Sequence, residues 1–345
     1  MKNTTGSIAR RACLGKLMAV TALAAGGAMS LPAFAQTAAL SPAQIAAWPD
    51  KLIRIINPYA AGGPSDTIVR MMAEGMSAEL GQRVIVENKP GGGTVIGANL
   101  VAHAPPDGYN LLLATVAPLI VQQAINPSLP YDAHKDFAMV GMFATVPNLI
   151  AVNPALPVNN IAELIDYAKK NPGKLNFASA GAGTGPHLGG ELFNQMAKVK
   201  LTHVPFAGAA PAVLGVLGGD VQVSFVNITP QIQQVKAGKL RPLAMGSERR
   251  STIFPEVPTV AESGLPGFLS ESWNGIAAPA GTPQPIIDKL YAAMAKVMAQ
   301  PKVLETLVTL GAEATVLGPK EFGAYVKADE DRQVPIIKAL NLTAN

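Results

Sequence analysis

Three glycine-bearing loops hold the residues with the clearest chemistry. Residues 59–66 read Tyr-Ala-Ala-Gly-Gly-Pro-Ser-Asp, residues 90–93 Pro-Gly-Gly-Gly, and residues 179–187 Ser-Ala-Gly-Ala-Gly-Thr-Gly-Pro-His. Each follows a short apolar run and precedes a helical pattern. A helix start exposes unpaired main-chain N–H groups and about half a positive charge. Glycine lets that main chain come close to a ligand, so such a loop is a ready anion site. In open α/β sheets these loops gather at the carboxyl ends of the strands, where ligands bind. If loops 59–66 and 179–187 come from opposite lobes, two helix starts converge on one cleft. That arrangement suits a small carboxylate, each charged hydrogen bond adding roughly 1.5–3 kcal/mol. Taken singly, each loop is equally compatible with a tight turn and nothing more.

The same loops offer one catalytic alternative: an exported hydrolase or isomerase using Ser179, His187 and Asp66 in that cleft. Known enzyme patterns are otherwise missing. Around Ser179, Gly181 fits a nucleophile elbow, but Phe177 stands where its other glycine is needed. Gly181, Gly183 and Gly185 are followed by Pro186, not by the glycine of a dinucleotide fingerprint, and no Lys follows any loop. His103, His134, His187 and His203 are scattered, and no H-E-x-x-H occurs. No metal and no cofactor is expected.

These loops must be positioned by larger elements. The chain has 345 residues, 49% hydrophobic and only 14% charged, which excludes a disordered chain and provides for one large or two ordinary domains. Residues 1–35 hold Lys2, Arg10, Arg11 and Lys16, then a weakly polar run, then Ala33-Phe34-Ala35. This is the order of a secretory signal cleaved after Ala35. Its removal takes four of the 27 basic residues and no acidic one, leaving 23 of each sign. The mature chain is then neutral, and with 5% aromatics and no basic run it has no nucleic-acid signature. It also loses Cys13, the only cysteine, so disulfide and thiolate chemistry are excluded.

Strand-like and helix-like segments alternate through the rest, the pattern of an α/β fold with mainly parallel sheets. Strands are expected at 52–56, 84–86, 111–114, 175–179, 221–225 and 241–245. Helices are expected at 68–80, 94–102, 161–170, 186–196, 209–217 and throughout the tail from residue 285. Residues 139–152 read as one unusually long extended segment. That segment and a linking stretch at 246–267 are natural chain crossings. They give a discontinuous first lobe (36–138 and 262–345) and a second lobe (139–261) with a ligand cleft between them.

The loops and their flanks resemble a known family. Trp48-Pro49-Asp50-Lys51, residues 58–66 and Glu87-Asn88-Lys89-Pro90-Gly91-Gly92-Gly93 match its first lobe. Ser179-Ala180-Gly181 through His187-Leu188, then His203-Val204-Pro205-Phe206, match its second. Residues 255–262, Trp273-Asn274-Gly275 and residues 278–283 complete the pattern. The mature chain thus resembles the Bug-type (Bordetella uptake) solute-binding receptors of tripartite tricarboxylate transporters. The resemblance implies a type II periplasmic-binding-protein fold, two lobes closing on a carboxylate delivered to membrane permease subunits. It implies a periplasmic, monomeric, non-catalytic protein, with a receptor for a signalling partner as the variant reading.

Carried over by position, the resemblance points to Tyr59, Gly63, Ser65 and Asp66 in the first loop and Ser179, Ala180, Thr184 and His187 in the second. Thr115, Val116, Phe206 and Asn227 are expected to line the cleft. Asp66 would repel an anion, so it is expected to cap its helix or bond across the cleft. His187 lies in a first helical turn, where the dipole favours a neutral imidazole. Val116-Ala117-Pro118 stands where relatives often carry Ser or Thr, which points to an aromatic acid or a simple dicarboxylate before an amino acid or citrate.

Overall fold

The computed structural model describes residues 40–342. The expected leader and its cleavage after Ala35 lie outside the described residues. Helix α1 (Pro42–Ala47) precedes β1 (Ile53–Asn57), α2 (Pro64–Leu80), β2 (Val84–Asn88), α3 (Val95–Ala102) and β3 (Asn110–Ala114). Pro64 opens α2 in its first turn, where a missing N–H leaves no helical bond unmade. Gly81, left-handed at φ 67°, closes it. Between them Ile68, Val69, Met72, Ala73 and Met76 are buried at helical spacing, each large member contributing about 1.5–3 kcal/mol. The methionine stripes are core, as the sequence spacing suggests.

A π-turn over Ala117–Val121 and α4 (Gln122–Ile125) lead into β4 (Phe137–Val152), 16 residues long. Then come α5 (Ile161–Lys170), β5 (Asn176–Ser179), α6 (Gly185–Ala197), β6 (Thr202–Pro205), α7 (Ala209–Gly218), β7 (Val223–Asn227), α8 (Ile232–Lys236) and β8 (Arg241–Met245). The chain returns through β9 (Glu271–Pro279), α9 (Gln284–Met298), α10 (Pro301–Leu310), β10 (Glu313–Leu317) and α11 (Pro319–Ala339).

The strands run in the order β2-β1-β3-β9-β4-β7-β5-β6, with β8 and β10 also paired to β4. Pairs β1/β2, β1/β3, β5/β6 and β5/β7 are parallel, whereas every pair involving β4 or β9 is antiparallel. The fold is therefore mixed where mainly parallel sheets were expected. The difference arises because β4 runs outward through both half-sheets and β9 runs back beside it, opposite in direction to β3 and β4. The tail is not wholly helical either. Gly311, left-handed at φ 71°, ends α10, and β10 then pairs antiparallel with β4.

β4 belongs to both half-sheets. It pairs with β9 as far as Pro147 opposite Glu271, and from Asn148 onward it pairs with β7. Pro147 has no N–H to give a ladder, and its carbonyl accepts instead from Ile228 N–H at 2.9 Å. The second crossing, from β8 to β9, passes the same point. Gly246 N–H donates to Asn148 O (2.7 Å), Ser270 N–H to Gly246 O (2.8 Å), and Asn148 N–H to Ser270 O (3.1 Å). Asn148 Nδ2 donates to Ser270 Oγ (2.7 Å), and Asn227 Nδ2 to Asn148 Oδ1 (2.9 Å) and Ser272 Oγ (3.0 Å). Both crossings are thus fastened by one buried polar knot.

Gly246 is required there by space. A Cβ at this position would lie 2.4 Å from Ser270 O and 3.1 Å from Asn148 O, both held by those bonds. Gly246→Ala is expected to lower unfolding free energy by about 1–3 kcal/mol, read by urea unfolding. An unchanged midpoint would show that the knot yields freely.

Candidate functional site

The first loop leaves β1 at Asn57 and enters α2. Tyr59 N–H donates to Asn57 Oδ1 (3.1 Å), and the Tyr59 hydroxyl meets Thr115 Oγ1 at 2.8 Å. Burial pushes the Tyr59 phenol up to about 12, against the opposing pull of the Thr115 bond. Asp66 neither faces the cavity nor bonds across to the other half. Its carboxylate accepts from Asn57 Nδ2 (3.0 Å), Asn88 Nδ2 (2.8 Å), Gly62 N–H (2.9 Å) and Arg70 Nε (3.0 Å). Asn88 Nδ2 also donates to Tyr59 O at 3.0 Å. Burial alone would raise the Asp66 pKa. Those four donors outweigh it and hold the carboxyl far below the usual carboxylate range. Asp66 ties β1, β2 and α2 together and sets the path of the loop.

The second loop leaves β5 and enters α6, turning through Gly181 at φ 134° and Gly183 at φ 73°, values that suit glycine. Ser179 is fully buried. Its Oγ lies 2.6 Å from His203 Nε2 and accepts from Gly181 N–H at 3.2 Å. Gly183 N–H donates to His187 Nδ1 (3.0 Å), which places the proton of a neutral His187 on Nε2. The His187 and His203 rings stack with centroids 3.8 Å apart. Burial pushes both down to about 4, helped at His203 by its neighbour, so both are neutral at pH 7. The neutral His187 of the sequence reading agrees with this geometry.

The two loops meet at one cavity of about 300 Å³. Pro58, Tyr59 and Ala60 wall it from the first loop, and Ala182, Gly183 and Thr184 from the other. Pro90, Gly91, Gly93 and Thr94 form a third side, and Ala117, Val121, Gln122 and Ile125 a fourth. None of these residues is ionised. Among the described residues, the N–H groups of Ala60, Ala61 and Ala182 donate to no protein acceptor.

Of the residues singled out from the sequence, Tyr59 and Thr184 stand in this wall. Thr115 is buried and touches the Tyr59 hydroxyl, and Gly63, Ser65 and Ala180 are half-buried within the two loops. Val116 packs in an apolar cluster with Leu119 and Ile120. Phe206 lies against Gly215, where a Cβ would come within 2.5 Å of its ring, and Asn227 belongs to the crossing knot. The catalytic alternative is not assembled. Ser179 bonds His203 and not His187, and Asp66 is engaged elsewhere. The residues not anticipated are Thr94, Val121, Gln122 and Ile125. The glycine run before Thr94 was their one visible signal. Among the described residues there is no cluster of three or more metal-ligating side chains, and no helix is long and apolar enough to cross a membrane.

Asp66→Asn turns an amide nitrogen toward groups that are themselves donors, and is expected to cost about 1–3 kcal/mol of stability at pH 7. Because the folded-state pKa is depressed, the wild-type advantage is complete above about pH 4, the ordinary aspartate value. It shrinks as pH falls toward the folded-state value. Chemical unfolding of both proteins between pH 7 and pH 2.5 tests this; a gap independent of pH would contradict it.

Comparison with known proteins places the chain. Residues 68–342 match the tripartite tricarboxylate transporter family receptor. A UPF0065 protein in the tcbD-tcbE intergenic region of Pseudomonas sp. strain P51 is 38% identical over 91% of this chain and 94% of its own length. Protein BugT of Bordetella pertussis is 34% identical over 88% of this chain and 94% of its own. Among solved structures, Rpa4515 of R. palustris with adipate is 32% identical with a TM-score of 0.76, covering 84% of this chain and 97% of that one. MatC of Rhodopseudomonas palustris with bound malate is 32% identical with a TM-score of 0.73, covering 84% and 100%. By sequence along most of its length, and by its two-lobed fold, the chain belongs to the Bug-type receptors of tripartite tricarboxylate transporters.

Proposed function

We propose that this protein is a periplasmic, non-catalytic receptor that captures a small carboxylate between two lobes and hands it to tripartite tricarboxylate-type permease subunits. The observation that carries the reading is the shared cavity. Glycine loops after β1 and β5, from different half-sheets, wall one space of about 300 Å³ whose lining residues carry no charge. An anion there is met by main-chain N–H groups and helix starts, directly or through ordered water. The relatives solved with adipate and malate support a short aliphatic acid as the ligand class.

In this reading Tyr59, Gly63, Ser65, Ser179, Ala180 and Thr184 shape the binding loops, with Thr115 holding the Tyr59 hydroxyl. Asp66 and His187 brace the two loops from behind. The lobes, expected from the sequence as residues 36–138 with 262–345 and residues 139–261, divide in this reading where β4 passes from β9 to β7 after Pro147 and where the chain returns between Gly246 and Ser270, and close on the ligand about that knot. The mature protein, freed of residues 1–35, works as a monomer.

Calorimetry of the mature protein against mono- and dicarboxylates of four to eight carbons is expected to find a ligand of micromolar affinity. NMR after prolonged incubation should return that ligand unchanged. Conversion to a product would establish an enzyme instead, and silence across the series would remove the carboxylate reading.

A further inference from the structure

The third and fourth walls of the cavity each hold one residue with a polar atom that nothing in the protein satisfies. Thr94 and Gln122 both line the cavity and are only 5% and 6% exposed. Thr94 Oγ1 and Gln122 Oε1 are buried without a hydrogen-bond partner. The identity of the Gln122 orphan follows from its neighbour. Gly93 O is an acceptor only, so the amide nitrogen must face it, as it does at 2.9 Å, and the amide oxygen is left over. An amide oxygen accepts and never donates, so the partner it lacks is a donor. Buried polar atoms in folded proteins are nearly always paired, so such exceptions call for a cause.

The backbone points the same way. Thr94 sits at φ 91°, one of three non-glycine residues with positive φ among the described residues, and it is β-branched. Strain of this kind collects at ligand clamps. Thr94 is also the residue from which α3 starts, so its surroundings carry the positive end of that helix. A cationic donor is disfavoured there, and no carboxylate in the wall would compensate one. The missing donor is therefore neutral. Val121 and Ile125 supply apolar wall for a short alkyl chain.

We infer that Thr94 and Gln122 form a second subsite, which takes a neutral hydrogen-bond donor, a hydroxyl or carboxamide, at the far end of the bound carboxylate. This rests on the carboxylate reading and names the class of ligand within it: ω-hydroxy or ω-carboxamide acids are preferred over plain fatty acids and symmetrical dicarboxylates. Gln122 Oε1 accepts from the distal group, and Thr94 Oγ1 supplies a second bond to it.

The test is calorimetry with matched acids of four to eight carbons at each chain length: the unsubstituted acid, its ω-hydroxy derivative, the dicarboxylate and the dicarboxylate monoamide. Wild type is expected to bind the hydroxy acid or monoamide about tenfold more tightly than the other two, the worth of one good hydrogen bond. Gln122→Met and Thr94→Gly should bring the hydroxy acid and the monoamide down to the affinity of the unsubstituted acid for the same variant, whatever that affinity is. Circular dichroism and thermal unfolding would confirm that each variant is folded, and Thr94→Gly relieves the backbone strain in any case. Equal binding of hydroxy and unsubstituted acids would mean that water alone fills the subsite, and a preference unmoved in both variants would mean that other residues recognise the distal group; either result overturns the inference. The carboxylate reading would then survive. If no acid binds at any length, that reading and the inference resting on it both fall.

Discussion

The constraint on which the proposed site depends is that an anion must be held where no side chain carries a countercharge. Every residue lining the cavity is neutral, and the nearby Arg70 spends its guanidinium on Asp66 and Asn88. Attraction must therefore come from oriented peptide dipoles, which are individually weak and strongly dependent on geometry. This explains why so much of the surrounding structure fixes backbone and not side chains. Asp66 gathers four donors at the start of α2, and His187 accepts the Gly183 amide at the start of α6. In both loops the titratable residue bonds to the main chain that lies next to the cavity. A buried anion at Asp66 is tolerable because its lone pairs are filled, and two stacked imidazoles are tolerable because burial keeps them neutral.

Convergence of the loops is a product of sheet topology. A parallel βα unit can deliver one glycine loop to one strand end, yet two loops from different half-sheets meet only if the chain passes between halves and returns. β4 and the segment from β8 to β9 make those passages side by side, joined through Asn148, Gly246 and Ser270. The knot is polar and close-packed, and Gly246 has no room for a methyl group. One apolar core, around Trp273 and Phe322, lies on one side of this point, another, around Phe177, Phe193 and Phe225, on the other, and a third runs through the crossing itself at Val146, Leu149 and Met245.

Much of this was legible in the sequence, and the reasons differ by element. Helix α9 announced itself through the 3.6-residue spacing of its apolar stripe, and the ends of α2 through Pro64 and Gly81. The three glycine loops were visible because few residues accept the turns they make. β9 and β10 were not anticipated as strands. Asn274 and Gly275 interrupt the apolar run of β9, and β10 is half exposed and short, so long-range pairing with β4 and not local pattern makes both extended. The cavity wall was only partly visible in the sequence. Tyr59 and Thr184, which line the cavity, were singled out through the loops that carry them, whereas Gln122 sits on a four-residue helix and gave no local sign that it lines the cavity too. Phe206 and Asn227 were expected at the cleft wall, and their type was indeed informative, but of packing at Gly215 and of the crossing knot.

The central claim is that amides from both halves grip one anion together. It is tested most directly by following backbone amide resonances of Ala60 and Ala182 while the mature protein is titrated with the carboxylate that calorimetry finds to bind most tightly. The account predicts that both amide protons shift downfield along a single binding curve. Shifts confined to one of the two loops, or binding that leaves both amides unmoved, would contradict it.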